Sequence, residues 1–159
     1  MDKLRVLVAD DASFIRDLIK RAIRGPYPHF QIEDAVNGRK AQSLLKSGQF
    51  DLVLCDWEMP EMNGLELLQW FRQQDKYKKT PFMMVTSRGD KGHVIEAVQA
   101  GVSEYIGKPF SNEQLLTKLT KLVYKYYKIQ PNSGGATPAA ASMDSVSALT
   151  QKSVSTSKA

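Results

Sequence analysis

The sequence predicts an α/β fold of the doubly wound type, with helices on both faces of a mostly parallel sheet. Five short apolar runs of strand length alternate with five stretches whose apolar residues recur at spacings of three and four, as on one helix face. The first run, Leu4–Ala9, is apolar almost throughout, as in a strand that is buried on both faces of a parallel sheet.

Each run is also rich in β-branched or aromatic residues, as strands are. The predicted strands are Leu4–Ala9, Phe30–Ala35, Leu52–Cys55, Phe82–Val85 and Val102–Ile106. Four helices are predicted between them from apolar faces, which consist of Phe14, Ile15, Leu18, Ile19, Ala22 and Ile23; Ala41, Leu44 and Leu45; Leu65, Leu67, Leu68 and Phe71; and Val94, Ile95, Ala97 and Val98. A fifth helix begins at the capping box of Ser111 and Gln114 and continues through Leu115, Leu119, Leu122 and Tyr126.

The last helix also carries a stripe of lysines that face away from its apolar side. They are Lys118, Lys121, Lys125 and Lys128. We interpret this stripe as a solvated helix face, since charged residues on a helix usually have that role. A docking surface for an acidic partner is the alternative, and charge reversal at Lys121 and Lys125 tests it.

Composition and charge narrow the classes of function. The 159-residue chain has a net charge of +5, but its cationic residues are dispersed, which does not favour direct binding of nucleic acid. No apolar run approaches the roughly 20 residues of a membrane helix, so we expect no membrane insertion. The single cysteine excludes an internal disulfide. We therefore expect a cytoplasmic protein.

The composition changes near residue 129. Residues 1–128 carry every predicted element and form one predicted domain. From residue 129 onward the chain consists mostly of Ser, Ala, Thr, Gly and Pro and has no aromatic residue. Such a segment cannot bury enough apolar surface to offset its ordering entropy. Residues 129–159 are therefore predicted to form a flexible tail or linker, either of a stand-alone protein or of a longer one.

Polar residues follow several of the strands, at the sheet edge where open α/β folds bind ligands. Asp10 and Asp11 follow the first strand, Asp56 the third, Thr86 the fourth and Lys108 the fifth. Three neighbouring carboxylates repel one another unless cations compensate, and Lys108 supplies one positive charge. Mg²⁺, which takes few carboxylates and keeps several waters, is the natural second cation. This set suits phosphoryl transfer to a carboxylate. The bland alternatives are that the aspartates cap a helix or start a turn.

Four segments together resemble one protein family. They read VADD at 8–11, DWEMPEMNG at 56–64, TS at 86–87 and YIGKPF at 105–110. In order and spacing they resemble the receiver domain of bacterial two-component response regulators, the CheY-like fold, over residues 1–128. The resemblance implies a five-stranded parallel sheet of order 2-1-3-4-5 and a cis peptide bond before Pro109.

The resemblance also assigns roles around the first and third strands. Asp56 would accept a phosphoryl group from a histidine kinase or a phosphotransfer protein, or from acetyl phosphate. Asp10, Asp11 and Asp56 would hold Mg²⁺ together with the backbone carbonyl of Glu58.

Further roles follow for the fourth and fifth strands. Thr86 would bind a phosphoryl oxygen, and Lys108 would pair with the phosphoaspartate. Tyr105 would swing inward behind Thr86, although a strand tyrosine is more often only a core residue. This change would alter the surface formed by the fourth helix, the fifth strand and the fifth helix, and so control the binding of a downstream output protein or output domain.

Two residues at the mouth of the site prompt a sharper hypothesis. Glu58 lies two residues after Asp56, and Arg88 lies two residues after Thr86. We predict an exposed ion pair between them that gates the water attacking the phosphorylated residue. Trp57, next to the acceptor, is expected to be partly exposed and to serve as a fluorescence reporter.

The leading hypothesis is thus a phosphorylation-operated signalling module that acts as a monomer or as a phosphorylation-dependent dimer. Analogy with other bare receivers suggests a role of the chemotaxis type. A pseudo-receiver that binds partners without phosphorylation is the first alternative, and the five retained site residues argue against it. The second is a phosphohydrolase with an aspartyl nucleophile. Phosphatases of the haloacid dehalogenase type need a second aspartate where this chain has Glu58.

Overall fold

A computed structural model of the chain describes residues 3–132. Its strands are β1 (Arg5–Ala9), β2 (Gln31–Ala35), β3 (Leu52–Cys55), β4 (Phe82–Thr86) and β5 (Glu104–Gly107). Its helices are α1 (Ser13–Arg24), α2 (Gly38–Ser47), α3 (Gly64–Gln73), α4 (Lys91–Gln99) and α5 (Asn112–Tyr127). All five predicted strands and all five predicted helices are present in this part of the chain, and their ends differ from the predicted ones by one or two residues for most strands.

The strands form one parallel sheet of order β2-β1-β3-β4-β5. This is the predicted doubly wound (βα)5 architecture. Because all strands run in the same direction, their carboxyl ends lie at one edge of the sheet and every following loop begins there. The topology changes direction at β1, whose two neighbours are β2 and β3.

Alternate residues of the sheet feed two separate apolar cores. Val6 and Val8 of β1 pack with α1 and α5, whereas Leu7 and Ala9 pack on the other face with α2, α3 and α4. The central strand β3 is buried at every position. Residues of a strand point alternately to opposite faces, so this division explains why the strand sequences are continuously apolar.

Two helices bury less apolar surface than their sequences suggest. Phe14 of α1 was expected on the apolar face but is 71% exposed, because it lies about 100° around the helix from Ile15, which packs on the core. In α4, Ile95 and Val98 are also exposed, and Ala97 is the one buried residue. The apolar faces predicted for α1 and α4 therefore included residues that the fold leaves exposed.

One buried element was not predicted. A single 3-10 turn, Asp75–Tyr77, follows α3 and buries the Tyr77 ring, whose hydroxyl donates to the carbonyl oxygens of Leu45 (2.7 Å) and Gly48 (3.0 Å). Its sequence, Asp-Lys-Tyr, has neither helical nor strand periodicity, so no pattern indicated it.

The packed part of the chain extends beyond the predicted domain boundary at residue 128. Ile129 is 8% exposed and lies in the core that α1 and α5 share, and the backbone N–H of Asn132 donates to the carbonyl oxygen of Pro26. The rest of the predicted tail, residues 133–159, lies outside the described residues. None of the helices within 3–132 has the length and apolar character needed to cross a membrane.

Candidate functional site

Three buried polar side chains lie at the carboxyl edge of the sheet. Within residues 3–132, three polar or charged residues are buried: Asp10 is 1% exposed, Asp56 5% and Thr86 0%. They terminate or follow β1, β3 and β4, which are adjacent in the sheet. Burying charged groups is costly without compensation, so their convergence at one edge indicates a functional site.

Asp10 is fixed by two hydrogen bonds to its carboxylate. Its Oδ1 accepts from the backbone N–H of Ala12 (2.9 Å), and its Oδ2 accepts from the Lys108 ammonium (2.7 Å). Ala12 is the N-cap residue of α1, which has no side-chain cap, so Asp10 does not cap this helix as the alternative suggested. Its second carboxylate oxygen joins the end of β1 to the loop after β5.

Asp56 lies beside the same lysine. The Lys108 Nζ is 3.3 Å from Oδ2 of Asp56, and the backbone N–H of Asp56 donates to the carbonyl oxygen of Ala9. Burial raises the pKa of Asp56 above its ordinary value, while the charge of Lys108 opposes this rise. Burial alone would lower the pKa of Lys108, but its contacts with Asp10 and Asp56 outweigh burial and raise it. Lys108 is therefore fully cationic at neutral pH.

The three aspartates fit a hard divalent cation. One carboxylate oxygen from each of Asp10, Asp11 and Asp56 lies within 4.8 Å of the other two. Asp11 is exposed, so solvent can reach this cluster. Three carboxylates and one lysine carry a formal charge of −2, which a divalent cation neutralises. Mg²⁺ suits such a site, because it is a hard cation that binds carboxylate oxygens and retains several waters.

Thr86 and Lys108 are held together by the backbone. The N–H of Lys108 donates to the carbonyl oxygen of Thr86, and the peptide bond between Lys108 and Pro109 is cis. The Thr86 hydroxyl accepts from the N–H of Arg88 (3.1 Å). Its own proton is therefore available to donate toward the carboxylate cluster.

The predicted ion pair at the mouth of the site is present. The Arg88 guanidinium contacts the Glu58 carboxylate, and the two side chains are 44% and 51% exposed. The backbone carbonyl of Arg88 also accepts a hydrogen bond from the Tyr105 hydroxyl. Arg88 thus joins the loop after β3 to the loop after β4 and to β5.

Trp57 differs from expectation, because it is buried rather than partly exposed. Its ring meets that of His93 edge-on, with 4.8 Å between the ring centroids. The His93 Nδ1 lies 2.5 Å from Oδ1 of Asp90, which caps α4 by accepting from the N–H of His93. Trp57, the residue after Asp56, therefore touches the first turn of α4, a contact that the sequence did not indicate.

The start of α3 packs tightly against the loop that follows β3. A Cβ on Gly64, the first residue of α3, would lie 2.2 Å from the carbonyl oxygen of Asp56. The N–H of Gly64 donates to the carbonyl oxygen of Trp57 (2.7 Å). Cys55 precedes Asp56 and is 1% exposed, and burial raises the pKa of its thiol.

Sequence patterns did not indicate Arg16 or Asp34. The Arg16 guanidinium donates to the Asp34 carboxylate of β2 (3.0 Å) and to the carbonyl oxygen of Asp10 (2.7 Å). Asp34 also accepts from Lys20 of α1 (3.2 Å). The sequence offered only an acidic residue in a predicted strand and a basic residue in a predicted helix. The fold brings these two residues together, and no sequence pattern connects them.

With this fold and site, the chain belongs to the response regulator receiver domain family, which matches it over residues 6–120. Proteins of this family are signalling modules that work with histidine kinases and output partners and typically bind Mg²⁺ at an acidic pocket.

Several proteins that are similar in sequence to this chain are chemotaxis proteins. Chemotaxis protein CheY-3 of Vibrio cholerae is 38% identical over 119 residues, which cover 75% of this chain and 91% of that protein. A chemotaxis protein CheY homolog of Campylobacter jejuni is 42% identical over 117 residues, which cover 73% and 89%. The solved structure of Vibrio cholerae CheY4 matches with a TM-score of 0.70 at 30% identity, covering 76% of this chain and 98% of that one. These matches confirm the resemblance and the fold predicted from the sequence.

Proposed function

We propose that the chain is a phosphorylation-operated switch in which Asp56 accepts a phosphoryl group from a histidine kinase or phosphotransfer protein in the cytoplasm. The observation that carries this proposal is the convergence of the buried Asp10, Asp56 and Thr86 with the Lys108 ammonium at one sheet edge. This set provides a nucleophilic carboxylate, two further carboxylates with Asp11, a hydroxyl donor and a fixed cation.

Phosphoryl transfer follows from these groups. An oxygen of the Asp56 carboxylate attacks the phosphorus and a P–O bond forms, while the P–N bond of the donor phosphohistidine breaks. The electron pair of that bond stays on the imidazole nitrogen, and the donor histidine is the leaving group. Mg²⁺ bound by Asp10, Asp11, Asp56 and the carbonyl of Glu58 would neutralise charge on the phosphoryl oxygens. Lys108, 3.3 Å from Asp56, stabilises the charge that develops there.

The signal leaves the site through the loop after β4. A phosphoryl oxygen on Asp56 attracts the hydroxyl proton of Thr86. Because that hydroxyl already accepts from Arg88, its displacement moves the Arg88 backbone, to which the Tyr105 hydroxyl is bonded. The movement of the Arg88 backbone then displaces Tyr105 and α4, a helix that buries little apolar surface. We propose that the surface of α4, β5 and α5 then controls binding of an output partner.

The test is intact mass spectrometry after incubation with acetyl phosphate, for the wild type and Asp56→Asn, with and without Mg²⁺. We expect one phosphoryl adduct that needs both Mg²⁺ and Asp56. Absence of an adduct on the wild type would overturn the proposal and favour a phosphorylation-independent binding module. Repeated turnover of p-nitrophenyl phosphate would instead indicate a phosphohydrolase.

The Glu58–Arg88 pair gives a first prediction. Because the pair is half exposed, each of Glu58→Ala and Arg88→Ala should change stability by less than about 1 kcal/mol. Both should change the rate at which phosphorylated Asp56 loses its phosphoryl group, since the pair stands where the attacking water enters. Loss of the adduct mass with time measures this rate. Wild-type rates in both variants would remove the gating role.

A further inference from the structure

The loop that carries Asp10 and Asp11 is bonded to β2 on both sides of Asp10. The N–H of Asp10 donates to the carbonyl oxygen of Ala35 (3.1 Å). Its carbonyl oxygen accepts from Nη1 of Arg16 (2.7 Å), and Nε of the same guanidinium donates to Oδ2 of Asp34 (3.0 Å). Arg16 therefore links the peptide between Asp10 and Asp11 to the strand beside β1.

This link is well placed to fix the two carboxylates. Asp34 pairs in register with Val8, two residues before Asp10, so β2 provides a rigid support. The Arg16 side chain is only 13% exposed, which makes its hydrogen bonds stronger than they would be in water. Because the peptide unit is planar, holding the carbonyl of Asp10 also fixes the direction in which Asp11 leaves it.

We propose that Arg16 and Asp34 form a positioning pair for the divalent-cation site, in which Arg16 holds the Asp10–Asp11 peptide and Asp34 orients the guanidinium. The inference rests on the proposed function, since it takes Mg²⁺ as the ligand of the aspartate cluster. Partners that orient metal ligands typically change metal affinity 10–100-fold when they are removed.

A purely electrostatic role makes the opposite prediction for one variant. Arg16→Met removes one of the two cations that pair with Asp34 and leaves Lys20 at 3.2 Å, so the cluster loses a neighbouring positive charge, which by charge alone would strengthen Mg²⁺ binding. Asp34→Asn leaves Arg16 unpaired and would weaken it. The double variant Arg16→Met/Asp34→Asn removes both charges and would leave affinity unchanged. A positioning role instead predicts weaker binding in all three.

The experiment measures the Mg²⁺ dissociation constant of the full chain by calorimetric titration, with thermal unfolding in the absence of Mg²⁺ as a check on folding. We expect Arg16→Met and the double variant to raise the dissociation constant by roughly 10-fold. Arg16→Lys should restore it only in part, because one ammonium cannot replace the two-pronged guanidinium.

Glu33→Gln is the matched control. Glu33 adjoins Asp34 in β2 and is also ion-paired, but to Arg5 at the start of β1 and on the other face of the strand. Its removal should leave Mg²⁺ affinity unchanged. Arg16→Met with wild-type or tighter affinity overturns the positioning pair alone. If Arg16→Met fails to fold, Arg16→Lys decides, because it keeps the charge: weaker Mg²⁺ binding supports the positioning pair, and wild-type affinity overturns it. Absence of Mg²⁺ binding by the wild-type chain overturns the proposed function and this inference together.

Discussion

Two buried tyrosines show how a single hydroxyl group contributes to this fold. Tyr27 is 3% exposed and stacks on Phe30, yet its hydroxyl is the one buried side-chain polar atom within residues 3–132 that lacks a hydrogen-bond partner. Tyr77 is also buried, but its hydroxyl donates to the carbonyl oxygens of Leu45, in the last turn of α2, and of Gly48, just after it.

Removing the two hydroxyls should therefore have opposite results. Tyr27→Phe should leave the free energy of unfolding unchanged or raise it by about 1 kcal/mol, because an unpaired buried hydroxyl is desolvated without compensation. Tyr77→Phe should lower it by about 1–3 kcal/mol, because it leaves a buried acceptor unpaired. Urea unfolding measures both, and an equal loss in the two variants would contradict this account.

The buried carboxylate of Asp56 has a cost in stability. Because burial raises the pKa of Asp56 in the folded state, the folded chain binds this proton more tightly than the unfolded chain does. Its ionised form therefore costs stability at neutral pH, and the cost disappears as the pH falls through the raised pKa toward the ordinary value of 3.8.

Asp56→Asn removes this charge while keeping the shape. Without Mg²⁺, we expect the variant to unfold a few degrees higher than the wild type at pH 7, and the difference to shrink toward pH 4. Thermal unfolding at a series of pH values measures it. A variant that is less stable than the wild type at pH 7 would show that Lys108 already compensates the charge.

The start of α3 depends on a glycine for steric reasons. A side chain on Gly64 would collide with the backbone of Asp56. This backbone cannot move without also displacing the Asp56 carboxylate. Gly64→Ala should therefore lower the free energy of unfolding by about 1–3 kcal/mol and slow the formation of the phosphoryl adduct.

Gly89 provides the control for that substitution. A Cβ there would meet nothing within 4 Å, so Gly89→Ala should leave stability within about 0.5 kcal/mol of the wild type. Urea unfolding and acetyl phosphate labelling of both variants give the comparison. Equal behaviour of the two would mean that α3 shifts to accommodate the methyl group.

The elements also show which features a sequence pattern can predict. Strands that are buried on both faces read as apolar runs, and parallel strands bring their following residues to one edge, so Asp10, Asp56 and Thr86 could be grouped without coordinates. The ion pair of Glu58 with Arg88 followed from equal offsets along two adjacent strands. The grouping at one edge needed only periodicity and strand direction, whereas the order that makes β3 and β4 neighbours was implied by the family resemblance.

Other features depend on how elements pack and left no trace in the pattern. The burial of Trp57 results from its contact with His93 of α4, a helix whose own apolar residues mostly stay exposed. Arg16 reaches Asp34 only because β2 lies beside β1. In both cases the partner is distant in sequence. Charged and aromatic residues also occur on protein surfaces, so the residue type alone does not predict the contact.

For the whole molecule, the position of Ile129 predicts where the folded domain can be cut. A chain ending at Asn132 keeps the buried Ile129 side chain and the hydrogen bond from Asn132 to Pro26, whereas a chain ending at Lys128 loses both. We expect the shorter chain to be less stable by about 2–3 kcal/mol. Thermal unfolding of the two chains measures the difference. Equal unfolding midpoints would show that the folded domain ends at residue 128.

The single cysteine makes the molecule its own unfolding probe. Cys55 is the only thiol in 159 residues, and it lies in the middle of the sheet at 1% exposure with its Sγ directed to the carbonyl oxygen of Asp56. A thiol reagent can reach it only when β3 separates from its neighbours, so the labelling rate reports how often the centre of the sheet opens. Any ligand that binds the closed site lowers that rate in proportion to its occupancy. The same atom thus reads out global opening and site occupancy without an added label.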